Sequence, residues 1–238
     1  MPRSDELSGV LSPRALENVQ DRIAAAQERG DHGAAVVTIV AVTKAFPVTA
    51  LVSGYEAGLR TFGESRVQEA AGKLPTFSQR GGCEVRLIGH LQSNKAKTAV
   101  ELFDLIESVD SIKLLRRLDR LAGEAGKVMP VYLQVNAGRD EAKFGFDPDE
   151  LPVLAGDIMD AQYLQVNGIM TIAPLTGDEQ ILRDCFRATR QSRDVMREDI
   201  PTCMDLSMGM TDDFEIAVEE GATHVRIGRA LFGERPPR

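Results

Sequence analysis

Lys44 is the first residue in this chain with chemistry to offer. It lies in the run V-V-T-I-V-A-V-T-K-A-F-P, Val36 to Pro47. Val36 to Val42 is rich in β-branched residues and carries no charge, which suits a strand buried on both faces. Pro47 cannot continue a sheet interior, so the strand must end near the lysine. A lysine there projects into a cleft while its stem packs on apolar neighbours. Burial disfavours the charged amine, and a neutral amine is a nucleophile toward carbonyls. Taken alone, the segment better suits a lysine that simply reaches water, and the rest of the chain reverses that preference. Arg226 is the second such residue. It sits in V-R-I-G, where an always-charged guanidinium needs a buried anion or another acceptor. The third group is S-M-G-M-T, Ser207 to Thr211, with Gly228 and Arg229: hydroxyls and open backbone of the kind that cradles an anion.

The elements that position these residues follow from periodicity. Residues 11 to 30 read as a helix with Ser12 as cap, Pro13 in the first turn, and Leu16, Val19, Ile23 and Ala26 on one face. Strands are expected at 36–42, 60–63, 85–89, within 102–109, and at 128–135, 164–172, 204–208 and 224–227. Helices are expected between them at 48–57, 65–74, 94–100, 111–125, 148–159, 178–197 and 212–220. Strand and helix thus alternate about eight times, which means parallel strands joined by crossover helices. Eight units in roughly 200 residues fit a closed (β/α)8 TIM-type barrel. An open doubly wound sheet is the alternative, but no glycine-rich dinucleotide turn follows the first strand. The chain therefore reads as a single domain, with a helical extension over 1–34 and a barrel over 35–235.

Gross composition narrows the function. The 238 residues are 43% hydrophobic and 27% charged, enough for a large core and a solvated surface. A net charge of −8 and a pI near 5.0 argue against a general nucleic-acid or membrane-surface binder. Cys83, Cys185 and Cys203 are odd in number and widely spaced, so they are expected to be reduced thiols. His32, His90 and His224 are scattered without metal-ligand spacing, and no metal site is expected. No apolar run follows the amino-terminal arginine and none is long enough to span a membrane. A cytoplasmic protein is the expectation.

In such a barrel the chemistry sits at the carboxyl ends of the strands, and loops after strands seven and eight often hold phosphate. Lys44, Glu64, His90 to Lys95, Asn136, Ser207 to Thr211, and Arg226 to Arg229 all fall at these ends. Bland roles remain open for several. Thr211 suits a helix N-cap, Gly209 a turn, and Asp212 and Asp213 the dipole of the following helix. Gln92 to Lys95 suit a cap as well as a ligand contact, and His90 suits a structural role. One lysine, one interior arginine and a phosphate cradle together describe a site for an aldehyde bearing a phosphate. Pyridoxal 5′-phosphate has these features.

A-V-T-K-A-F-P, F-G-E-S-R-V-Q-E, I-G-H-L-Q-S-N-K, Q-V-N, G-I-M-T-I-A-P, L-S-M-G-M-T-D-D-F and V-R-I-G-R-A-L-F-G-E-R, in this order, resemble the YggS/PROSC family. These are pyridoxal-phosphate homeostasis proteins whose fold is similar to the barrel domain of alanine racemase. The resemblance runs from about Val36 to Arg235. It implies that Lys44 is the Schiff-base lysine and that Arg226 faces the pyridine nitrogen. It further implies that Ser207 or Thr211, Gly228 and the Arg229 amide meet the phosphate. Three positions depart from the family's pattern: Ser65 where asparagine is common, His90 where proline is common, and Arg229 where a small hydroxyl residue is common.

An arginine against the ring nitrogen can only donate, so it keeps that nitrogen unprotonated and weakens the ring as an electron sink. Racemases of the related fold add a β-domain and a tyrosine base contributed across a dimer. This sequence closes nine residues beyond Arg229, and Tyr55, Tyr132 and Tyr163 do not fall at strand carboxyl ends. The expectation is a protein that holds pyridoxal phosphate as a lysine aldimine, buffers it and passes it to apo-enzymes, with no catalytic residues assigned. It is expected to be a monomer or weak dimer. A small amino-acid racemase is the alternative.

Overall fold

The computed structural model describes residues 9–31, 36–140 and 142–234. The expected boundary between extension and barrel at 34/35, His32 and the first eight residues lie outside these. Eight strands follow one another around a closed barrel, each parallel to its neighbours. They are β1 (Thr38–Val42), β2 (Thr61–Glu64), β3 (Glu84–Leu87), β4 (Leu105–Val109), β5 (Met129–Val135), β6 (Leu164–Thr171), β7 (Asp205–Met210) and β8 (His224–Ile227). The barrel closes where β1 lies beside β8, with Val40 opposite Arg226 and Ala41 opposite Ile227.

The helices are α1 (Pro13–Arg29), α2 (Val48–Glu56), α3 (Val67–Lys73), α4 (Ala96–Leu102), α5 (Ile112–Glu124), α6 (Leu151–Met159), α7 (Glu179–Asp199), α8 (Phe214–Glu219) and α9 (Arg229–Phe232). Helix α1 precedes the barrel and buries Leu16, Val19, Ile23 and Ala26, the face its period marks out. Its outer rim is pinned to α8 by Arg22–Glu215 and Arg29–Glu219 ion pairs. Helix α5 buries Leu114, Leu115, Leu118 and Leu121, and Ser111 caps it by accepting from the Leu114 amide.

The alternation expected from the sequence is therefore the (β/α)8 barrel, but several ends move. The first strand starts at Thr38, because Val36 is 76% exposed and lies off the barrel. Strand β7 runs two residues past Met208, and its pairing with β8 slips between Ser207 and Met210. Gly209 permits this bend: its φ is +90°, and a Cβ there would lie 2.6 Å from the Ala217 Cβ. Helix α6 starts at Leu151, after a turn over Pro148. Helix α9 is a single turn, too short for its sequence to show a period.

Candidate functional site

Lys44 stands two residues beyond β1, half-buried, on the wall of a cavity of about 340 Å³ at the carboxyl end of the barrel. Val42, Ile88 and Ile172 form apolar parts of that wall. Thr211, Asp212, Arg226, Gly228, Arg229 and Glu234 form its polar side. Its size falls in the small-molecule range of about 300–1,000 Å³. Lys44, Ile88 and Ile172 also border a second hollow of about 470 Å³, reached past Ser65, Arg66, His90, Gln92 and Lys95.

Arg226 projects from β8 and is 4% exposed. Its Nη1 donates to the Ser207 carbonyl at 2.7 Å and the Ser207 hydroxyl at 2.8 Å, while Nη2 donates to the Thr171 carbonyl at 2.6 Å. Its acceptors are thus mainly backbone oxygens, which answers the question its apolar setting poses. Burial pulls its pKa down from the ordinary value, and the charges of Glu107 and Asp213 oppose this.

Behind Arg226 a line of buried polar groups continues across the barrel. The Ser207 hydroxyl donates to Glu107 Oε2 at 2.6 Å, and Arg86 Nη1 donates to Glu107 Oε1 at 3.1 Å. Glu107 is fully buried, so one carboxylate balances two arginine-bearing arms. Arg86 also reaches Glu84, the Tyr132 hydroxyl at 3.2 Å, and His224 Nε2 at 3.1 Å. An arginine can only donate, so Nε2 accepts, and His224 Nδ1 carries its proton toward Thr223 Oγ1 at 2.8 Å. Burial and the Arg86 charge together push the His224 pKa down to about 3, so the ring is neutral. The Tyr132 hydroxyl donates to Asp205 at 2.8 Å, and burial drives its pKa upward.

The structure separates the two hydroxyl candidates. Ser207 is fully buried with its hydroxyl committed to Glu107 and Arg226, whereas Thr211 lines the cavity. Thr211 is not a helix cap, since α8 begins at Phe214 with Asp213 in the cap position. Asp213 accepts from the Met210 amide at 2.5 Å and so locks the turn after β7. Asp212 pairs with Arg229 across the cavity mouth rather than serving the α8 dipole. At the other rim, the first backbone bond of α9 is Leu231 N–H to the Gly228 carbonyl at 3.0 Å. The amides of Arg229 and Ala230 precede that bond and have no intrahelical acceptor.

His90 is exposed; it stacks on Phe144 with ring centroids 3.7 Å apart and meets Asp110 at 3.0 Å. Residues Ser93 to Lys95 form a short 3-10 turn leading into α4, and Gln92 and Lys95 face the second hollow. Asn136 is turned to its own loop, donating to the Asp140 carbonyl at 2.8 Å. Sequence reasoning passed over Arg86, Glu107 and Lys73. Arg86 in E-V-R-L and Glu107 in L-I-E-S-V carry the same signal that singles out Arg226, a charge inside an apolar strand. Among the described residues, no group of three or more His, Cys, Asp or Glu side chains is arranged to hold a metal ion.

Comparison with known proteins places this geometry among relatives. Residues 15–236 match the alanine racemase N-terminal domain family. A pyridoxal phosphate homeostasis protein of Aquifex aeolicus is 36% identical over 221 residues, covering 92% of this chain and 96% of that one. PipY of Synechococcus elongatus, solved without PLP, superimposes with a TM-score of 0.84 at 38% identity, covering 93% of this chain and 99% of PipY. PipY has also been solved with PLP bound, and that structure matches with a TM-score of 0.79. Alanine racemase from Corynebacterium glutamicum shares the fold at 19% identity and a TM-score of 0.69, with 91% of this chain matching 61% of the racemase.

Proposed function

Since the chain belongs to the alanine racemase N-terminal domain family, and within it to the pyridoxal phosphate homeostasis proteins, we propose that it binds pyridoxal 5′-phosphate through Lys44 and takes part in homeostasis of that cofactor. The observation that carries this reading is the meeting of Lys44, Arg226, Thr211 and Gly228 on one cavity wall. That donor set, an amine, a guanidinium and a hydroxyl beside open backbone, fits an aldehyde that carries a phosphate. When bound, pyridoxal phosphate supplies the reactive aldehyde and a conjugated ring that can take up negative charge.

Each residue then has its task. Lys44 would hold the cofactor through its aldehyde, a group that condenses with an amine by loss of water. Thr211 donates its hydroxyl to the phosphate, and the Gly228 and Arg229 amides at the start of α9 add backbone donors. Arg226, held from behind by Ser207 and Thr171, presents a permanent cation that keeps the ring nitrogen unprotonated. Ser207 serves by orienting Arg226.

In this reading turnover of amino acids is negligible. Racemisation needs proton exchange on both faces of the bound carbon, and Lys44 serves one. The Tyr132 hydroxyl is committed to Asp205 and Arg86 within the barrel. The protein holds the cofactor and passes it to apo-enzymes that require it. The test is α-proton exchange of L- and D-amino acids in deuterated buffer. Slow exchange with chirality retained supports a binding protein; rapid exchange to racemic product overturns it in favour of a racemase.

A further inference from the structure

We propose that Lys73 is a positioning residue for Lys44, acting with Glu69 to fix the turn from which Lys44 enters the cavity. This rests on the reading of Lys44 as the point of cofactor attachment. Thr43, Lys44, Ala45 and Phe46 form a four-residue turn closed by the Phe46 amide on the Thr43 carbonyl at 3.1 Å. Its third residue, Ala45, has a φ of 65°, a conformation turns of this kind normally give to glycine or asparagine. A turn with alanine there needs support from outside itself, because the left-handed region is unfavourable for a side chain with a Cβ.

Helix α3 supplies that support with two residues one turn apart. Lys73, 8% exposed, donates from Nζ to the Thr43 carbonyl at 2.9 Å and the Phe46 carbonyl at 3.1 Å, the two ends of the turn. Its charge is balanced by the buried Glu64 at 2.5 Å, and Glu64 in turn accepts from the Thr43 hydroxyl at 2.6 Å. Glu69 accepts the Ala45 amide at 2.5 Å. That amide belongs to the peptide between Lys44 and Ala45. Turns of types I and II differ by a flip of this central peptide, which would point the amide away from Glu69. The carboxylate therefore selects one orientation of the peptide, and the ammonium holds both ends of the turn. Together they set the direction in which the Lys44 side chain leaves the backbone.

A buried lysine whose only role was to neutralise Glu64 would not need to span both ends of the turn. The experiment compares wild type with Glu69→Ala and with the charge-balanced pair Lys73→Met plus Glu64→Gln. Two quantities are read alongside the melting temperature. One is hydrogen exchange at the Ala45 amide in cofactor-free protein. The other is the rate at which borohydride traps added pyridoxal phosphate on Lys44. Both variants are expected to slow trapping about tenfold or more and to speed Ala45 exchange by a similar factor. Glu69→Ala, at a partly exposed site, is expected to do so with little change in melting temperature. Folded variants with wild-type trapping rate and wild-type Ala45 exchange overturn the proposal. Absence of trapping on Lys44 in the wild type overturns the attachment reading instead, and Ala45 exchange then still decides the role of Lys73.

Discussion

Arg226 gives one guanidinium nitrogen to both the carbonyl and the hydroxyl of Ser207, at 2.7 and 2.8 Å. Two strands, β7 and β8, are thereby tied at the base of the cavity. Ser207 passes the interaction on to Glu107, so the cation at the cavity wall is balanced by a carboxylate on β4, half a barrel away. Arg226→Leu leaves the Thr171 carbonyl and the carbonyl and hydroxyl of Ser207 without this donor. Retention of pyridoxal phosphate is expected to weaken by about 2–5 kcal/mol, the order of cost for losing one partner of a buried charged hydrogen bond. Cofactor dissociation rates of variant and wild type check this; equal rates assign Arg226 to the scaffold alone.

Glu107 should matter to stability more than its distance from the cavity suggests. Glu107→Gln takes the buried carboxylate from Arg86 and removes the negative charge that Arg226 senses behind Ser207. Unfolding in urea is expected to show a loss of about 3–5 kcal/mol, as for other broken buried pairs. A loss below about 1 kcal/mol, the range of surface ion pairs, would contradict the role assigned to Glu107.

The two hydroxyls are expected to behave differently. Thr211→Val removes a hydroxyl from the cavity wall. With the proposed phosphate contact, affinity for pyridoxal phosphate is expected to fall by about 0.5–1.5 kcal/mol while that for unphosphorylated pyridoxal is unchanged. Ser207→Ala acts through Arg226 and weakens both ligands alike. Titrations with the two ligands separate the cases.

His224 gives the fold a pH dependence of known sign. Its folded pKa is near 3, against about 6.5 when unfolded, so between these values the unfolded chain binds the extra proton. Its contribution is complete above pH 6.5 and is lost as pH falls toward 3, at up to about 1.4 kcal/mol per unit. The difference in stability between wild type and His224→Gln, followed from pH 7 to 4, should shrink with that slope. A constant difference would mean that the ring is protonated in the folded state.

Much of this was legible in the chain. Uncharged β-branched runs and the 3.6-residue period of α1 and α5 gave the barrel, and Lys44 and Arg226 stood out as charges ending or interrupting strands. What was hidden depends on pairs far apart in sequence. Ser207 meets Glu107 100 residues away and Arg86 meets His224 138 away, and no local pattern encodes either. The different placement of Ser207 and Thr211 was hidden for another reason. They are four residues apart, which strand alternation would put on one face, but Gly209 at φ +90° breaks the alternation between them. The turn at Ala45 was unreadable because alanine is not the residue that such a turn advertises.

Lys44 is the proposed point of attachment. Its most direct test is to mix the purified protein with pyridoxal phosphate, reduce with borohydride and locate the adduct by peptide mass mapping. One adduct on Lys44 is predicted, together with a visible absorption band that Lys44→Ala abolishes while the protein stays folded. An adduct on Lys95 or Lys143 in place of Lys44, or an absorption band unchanged in Lys44→Ala, would contradict it.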